Sequence, residues 1–133
     1  MKRTLSRIIS MQIIYNYNTT KVLDFEGIID IVNEEEVDYD IEYVKKLVSG
    51  VIDNQEKIDF VISMNLKNYT LDRLSVVDRS LLELGTYELL FTDTPSNIII
   101  NEIVEISKEY SEVDDYKTSK FNNAVLDAIS KMR

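Results

Sequence analysis

The 133-residue chain reads as an all-α protein, a single compact domain of six or seven helices. Three observations lead there. With only three Gly and one Pro among 44% hydrophobic and 29% charged residues, the composition is that of a globular domain, not of a linker or a disordered tail. Apolar residues recur at three- and four-residue intervals along most of the chain, the period of a helix with one buried face. Asp24, Asp40, Ser75 and Pro95 stand where helices would begin. No repeat of 20–50 residues points to a solenoid.

Residues 4–18 lack Gly and Pro, and Leu5, Ile8, Ile9, Met11, Ile13 and Ile14 surround much of a helical wheel, so this helix should be largely enclosed. Arg3, Arg7 and Ser10 share one of its faces. Asp24 caps a second helix through Ile28, Ile29, Ile31 and Val32. Asp40 caps a third, whose apolar positions from Ile41 to Ile62 predict a run as far as Leu66 with Gly50 as a tolerated weak point. Asn68, Thr70 and Asp72 mark a break with a short turn at 71–74. Ser75 followed by Asp78 resembles a capping box and opens a helix over 76–91. After the turn at 92–94, Pro95 suits the first position of a helix reaching Tyr110, and Ile98–Ile100 is the place where a strand competes. A polar loop over 111–116 precedes a last helix capped by Thr118 or Ser119, with Phe121, Val125, Leu126 and Ile129 turned inward. The enclosed first helix and the helix over 76–91 should cross through one core.

Cysteine is absent, which removes disulfides, zinc–thiolate sites and thiol nucleophiles together. Ser6, Arg7, Ser10 and Gln12 interrupt any signal-peptide core, and no stretch approaches the roughly 18 apolar residues of a membrane span, so a cytoplasmic protein is expected. The net charge of −9 argues against nucleic acid, but its distribution does not. Residues 1–23 hold Lys2, Arg3, Arg7 and Lys21 and no acid. Residues 24–44 hold nine acids and no base. From Tyr116 onward Lys117, Lys120, Lys131 and Arg133 face Asp127 alone. Two readings of the basic ends stand: they meet as one positive patch, or they are separately solvated.

Histidine is absent along with cysteine, so the commonest general base is missing, and the isolated glycines at 27, 50 and 85 make no phosphate-binding loop. Bundle-type di-iron sites need Glu-x-x-His pairs and are excluded. Asn101, Glu102 and Glu105 lie within about one turn and form the sole candidate for a hard cation; a solvated acidic edge is the competing reading. A non-enzymatic binding protein without cofactor or metal is the expectation.

Three segments carry a family resemblance. Ser6-Arg7 leads into Met11-Gln12-Ile13-Ile14-Tyr15. Leu74-x-x-Val77-Asp78-Arg79-x-Leu81-Leu82-x-Leu84-x-x-Tyr87-Glu88-Leu89-Leu90 is followed by Pro95 and by Ile100-Asn101-Glu102-x-Val104-Glu105-Ile106-x-Lys108. Lys120-Phe121-x-Asn123-x-Val125-Leu126-Asp127 closes the chain. In this order and spacing they resemble the bacterial NusB family of transcription antitermination factors. The resemblance implies a seven-helix domain spanning 1–133 that binds boxA-type single-stranded RNA jointly with NusE, a small ribosomal subunit protein, in antitermination complexes on RNA polymerase at ribosomal RNA operons. The same fold begins certain ribosomal RNA methyltransferases, for whose catalytic domain 133 residues leave no room.

The resemblance also assigns residues. Lys2, Arg3 and Arg7, with Lys120 and Phe121, correspond to the RNA-holding surface; Tyr15 and Asp78 correspond to the partner-binding surface. For Phe121, stacking on a base competes with an ordinary place in the core, and for Asp78 the capping role competes with the interface. A protein–protein adaptor with little RNA binding is the alternative function, and a monomer or weak homodimer the expected state. Thr4 and Leu5 stand where the family often has further arginines, and Glu83 replaces a common arginine. Phe121-Asn122-Asn123-Ala124 replaces the usual Phe-Val-Asn-Gly, and the loop at 111–118 is slightly longer than usual.

Overall fold

The computed structural model describes residues 2–111 and 117–133. Seven helices follow one another: α1 (Lys2–Thr20), α2 (Phe25–Glu34), α3 (Ile41–Asp53), α4 (Gln55–Met64), α5 (Val76–Phe91), α6 (Ser96–Tyr110) and α7 (Lys117–Ser130), with a 3-10 turn at Leu71–Arg73. Among the described residues there is no strand, and no helix is long and apolar enough to cross a membrane.

The starts of these helices obey local chemistry. Asp24 Oδ1 accepts from the Gly27 amide at 3.0 Å and Asp40 Oδ1 from the Tyr43 amide at 3.1 Å, each meeting one of the N–H groups that a first turn leaves unpaired. Ser75 Oγ accepts from the Asp78 amide at 3.2 Å and donates to Asp78 Oδ2 at 2.7 Å. Lys21 adopts φ 65° just past the end of α1, and its amide donates to the Tyr17 carbonyl at 2.8 Å.

Three expectations need correction. The helix expected over 41–66 is two, and the break falls at Asn54, not Gly50. The Asn54 side-chain amide donates to the Gly50 carbonyl at 2.8 Å, offering the backbone an alternative to continuing the helix. Gly50 instead allows a close approach: a Cβ there would lie 2.1 Å from Tyr87 Cε1 of α5. Pro95 is the residue before α6, not its first; the helix expected through Ile98–Ile100 is present and no strand competes there, because Ile99 and Ile100 turn into the core. Thr118 and Ser119 lie within the first turn of α7, which is already helical at Lys117. The expected loop at 112–116 lies outside the described residues.

Helix α5 is the axis of the molecule. It packs against α1, α3, α4, α6 and α7, and from Ser80 to Leu89 every residue is buried. Leu81, Leu82, Leu84 and Leu89 with small Gly85 and Thr86 let it be enclosed, and its buried Glu83 and Glu88 are each held by polar partners from neighbouring helices. Two three-helix groups share it: α1, α3 and α5 on one flank, α5, α6 and α7 on the other. The predicted meeting of α1 with α5 is present. Helix α2 touches α1 only lightly and carries Glu26, Asp30 and Glu34 of the acidic segment outward.

Candidate nucleic-acid and partner interface

The first turn of α1 presents Lys2 and Arg3 to solvent. Lys2 Nζ lies 3.8 Å from Asp38, and the Arg3 guanidinium lies 4.1 Å above the centre of the Tyr43 ring of α3. The shared face expected of Arg3, Arg7 and Ser10 is open only at Arg3. Ser10 is bonded to the Ser6 carbonyl, and Ser6 Oγ accepts from the Asp40 amide at 2.9 Å, so the start of α3 covers this side of α1.

Arg7 is 2% exposed. Its Nε and Nη2 make a bidentate pair with Glu88 of α5 at 2.8 and 3.0 Å, Nη1 donates to Glu102 of α6 at 3.0 Å, and Nη2 donates to the Tyr43 hydroxyl at 3.0 Å. Tyr43 in turn donates to Glu88, and Thr4 Oγ1 donates to Glu102 at 2.6 Å. Burial alone would lower the Arg7 pKa; the hydrogen bond and charge of Glu88, helped by Tyr43 and Glu102, raise it above its ordinary value instead. Burial and then Glu88 push the Tyr43 phenol well up, so it remains a donor at neutral pH. The cluster ties α1, α3, α5 and α6 together with its charges paired, and Arg7 is a tie beneath the surface rather than part of it. Glu102 faces Arg7 and Thr4 while Glu105 pairs with Lys108 at 3.1 Å, so the two carboxylates do not converge on a common cation position. Among the described residues no group of three or more such side chains fits a metal ion.

On α7, Lys120 is exposed at the edge of a shallow hollow that it shares with Val104 and Lys108 of α6. Phe121 is half-buried. It packs against the core, and its ring meets the exposed Tyr69 ring at 5.6 Å, tilted by 52°, beside a groove that Arg73 and Lys117 border. Helix α6 thus stands between the two basic ends, with Glu102 toward α1 and Val104 and Lys108 toward Lys120.

The two expected partner-binding residues part company. Tyr15 is 37% exposed and borders an apolar hollow with Met11, Gln12, Val77 and Tyr110. Asp78 is 4% exposed; its carboxylate takes the Ser75 hydroxyl and, at 3.3 Å, the Asn122 amide of α7. Its cap and its link to α7 occupy it, so the side chain that α5 offers beside Tyr15 is Val77.

Sequence reasoning passed over a second buried cluster. Glu83 is fully buried; its oxygens accept from Asn18 at 2.7 Å and Gln55 at 3.0 Å, and Arg79 Nε lies 3.6 Å away. Burial first, then the facing Asp59 carboxylate, raise its pKa to about 8. Asp59 is paired with Arg79 at 2.9 Å through Oδ2, while its buried Oδ1 has no hydrogen-bond partner among the described residues. A proton on Glu83 would fill that gap. The one sign of this in the sequence was an acid at a position where the family commonly has arginine.

Comparison with known proteins agrees with this architecture. The chain matches the NusB family over residues 4–131. The transcription antitermination protein NusB of Staphylococcus aureus (strain MRSA252) is 38% identical over 132 residues, covering 98% of this chain and 100% of that one. The structure of NusB from T. maritima superposes with a TM-score of 0.81 at 36% identity, covering 98% of this chain and 92% of the other. A chain from the crystal structure of antitermination factors NusB and NusE in complex with dsRNA gives 0.84 at 32% identity, covering 99% and 98%.

Proposed function

The chain belongs to the NusB family, and from that premise we propose that it is an antitermination factor that binds boxA-type RNA jointly with NusE. It acts within RNA polymerase complexes at ribosomal RNA operons, as one non-enzymatic domain in the cytoplasm. The observation that supports the RNA assignment most is the pair of exposed basic ends, Lys2 and Arg3 on α1 and Lys120 next to Phe121 on α7, on either side of α6 in a chain of net charge −9. Lysine and arginine attract phosphate, and the Phe121–Tyr69 pair offers an unpaired base an aromatic surface. Arg7 lies beneath this surface and supports it. Tyr15, with the apolar hollow around it, is the partner-facing residue, and Asp78 contributes by fixing the start of α5.

So few cations support only a few phosphate contacts, so RNA binding by the protein alone is weak and NusE tightens it. Titration of boxA-like and scrambled RNAs, with and without NusE, tests this. Tight binding of the boxA-like RNA only in the presence of NusE is the expected result. Equal, weak binding of both RNAs with NusE present would favour a protein–protein adaptor, a reading to which the acids beside the cations, Asp38 and Glu105, lend weight.

A further inference from the structure

Arg3 has, among the described residues, no ion pair; its contact is the face of the Tyr43 ring, 4.1 Å from the guanidinium carbon to the ring centre. That ring is held from the other side. Its hydroxyl donates to the buried Glu88, accepts from Arg7 at 3.0 Å, and the residue is 7% exposed. A guanidinium stacked on an aromatic face uses its π surface there and keeps its N–H edges for a second ligand, and those edges match the two oxygens of a phosphate. We propose that Tyr43 is a positioning residue for RNA binding: its ring, locked by the Arg7–Glu88 pair beneath it, holds the Arg3 guanidinium ready for a backbone phosphate. The inference rests on the RNA-binding reading above and deepens it.

The physical gain is pre-organisation. An exposed arginine on a first helical turn samples many rotamers, and fixing one of them on binding weakens affinity; a platform that fixes it beforehand removes that loss. It also gives the buried cluster a function. Arg7, too deep to touch RNA, sets the Tyr43 ring, and the ring sets Arg3. An exposed cation–π contact of this kind corresponds to an effect of about two- to fivefold on affinity.

The test is a double-mutant cycle on boxA-like RNA binding in the presence of NusE, with thermal unfolding of each variant. Arg3→Ala and Tyr43→Leu should each weaken RNA binding about two- to fivefold, and the double variant should be no weaker than Arg3→Ala alone. Tyr43→Phe keeps the ring but loses the hydroxyl bonds to Arg7 and Glu88 that lock it, and should fall between wild type and Tyr43→Leu. A purely structural role for Tyr43 would instead make Phe and Leu fail together. Multiplying effects in the double variant, or normal binding by Tyr43→Leu when Arg3→Ala is weakened, would overturn the inference while leaving the RNA reading intact. No effect of Arg3→Ala would overturn the inference as well, whereas the RNA reading itself falls only if the wild-type protein with NusE fails to prefer the boxA-like RNA. Should Tyr43→Leu not fold, NMR relaxation of the Arg3 Nε–H in the free wild-type protein decides: a rigid side chain supports the platform, and an order parameter below about 0.6 refutes it.

Discussion

Replacing Glu83 with glutamine should make the protein more stable, and increasingly so as the pH rises. Glu83 is completely enclosed by α1, α4 and α5, with Asn18, Ser80, Gln55, Arg79 and Asp59 around it, and its carboxyl titrates at about 8 instead of the ordinary 4.5. Between those values the native state holds a proton that the unfolded chain has released. The stabilisation by the neutral form is therefore complete below about 4.5 and lost as the pH rises through about 8. One proton corresponds to about 1.4 kcal/mol per pH unit, which over the full interval reaches about 5 kcal/mol as an upper bound. Glutamine stays neutral throughout, accepts from Asn18 and donates an N–H toward Asp59 Oδ1; it gives up the bond that Glu83 Oε2 accepts from Gln55, a cost of about 1 kcal/mol that does not vary with pH and is outweighed as the pH rises. Urea unfolding of Glu83→Gln and wild type at half-unit steps from pH 5 to 9 measures the difference, and other titrating groups cancel between the two. The gap should widen in favour of the variant up to about pH 8 and then level off. A gap constant across the whole range would show that Glu83 is ionised in the native protein and would refute the reasoning.

Other expectations concern packing and ties. Arg7→Met should cost about 3–5 kcal/mol because it leaves Glu88 buried without its cation, and Arg7→Met with Glu88→Leu should recover part of that loss; a single-variant cost below about 1 kcal/mol would contradict the tie described here. Gly50→Ala gains about 1 kcal/mol of helix propensity but drives a Cβ into Tyr87, whose ring is stacked on Phe91 at 5.3 Å. A lower melting temperature is expected, and a higher one would show that Tyr87 yields. Ser75→Ala removes the cap of α5 and should cost about 1 kcal/mol in chemical denaturation, with α5 still formed.

What could be read from the sequence was what depends on near neighbours. A cap at Asp24, Asp40 or Ser75 is a relation between residues three apart, and each is present. The enclosure of α5 followed from leucines on more than one side. The break at Asn54 was not foreseen, and Gly50 was read as a tolerated weak point because a glycine weakens a helix by propensity, whereas the approach of Tyr87, 37 positions along in the numbering, decides what Gly50 is for. Arg7 shows the same limit at the site. Helical spacing put it on a face with Arg3, but whether that face is open depends on Tyr43, Glu88 and Glu102, separated from it by 36, 81 and 95 residues. Asp78 is likewise committed to Asn122, 44 residues away. Lys2, Arg3, Lys120 and Tyr15 were found at the surface because nothing distant claims them fully.

The salt dependence of RNA binding tests the central claim most directly, that the basic ends of α1 and α7 both contact RNA phosphates. On single strands each neutralised phosphate contributes about −0.7 to the slope of log affinity against log salt. Measured with NusE and boxA-like RNA over roughly 50–200 mM salt, Arg3→Ala and Lys120→Ala should each make the slope shallower by about 0.7, and the pair together by about 1.4. A slope unchanged in both variants would mean that these cations are only solvated helix ends, and that any RNA contact is made by the partner.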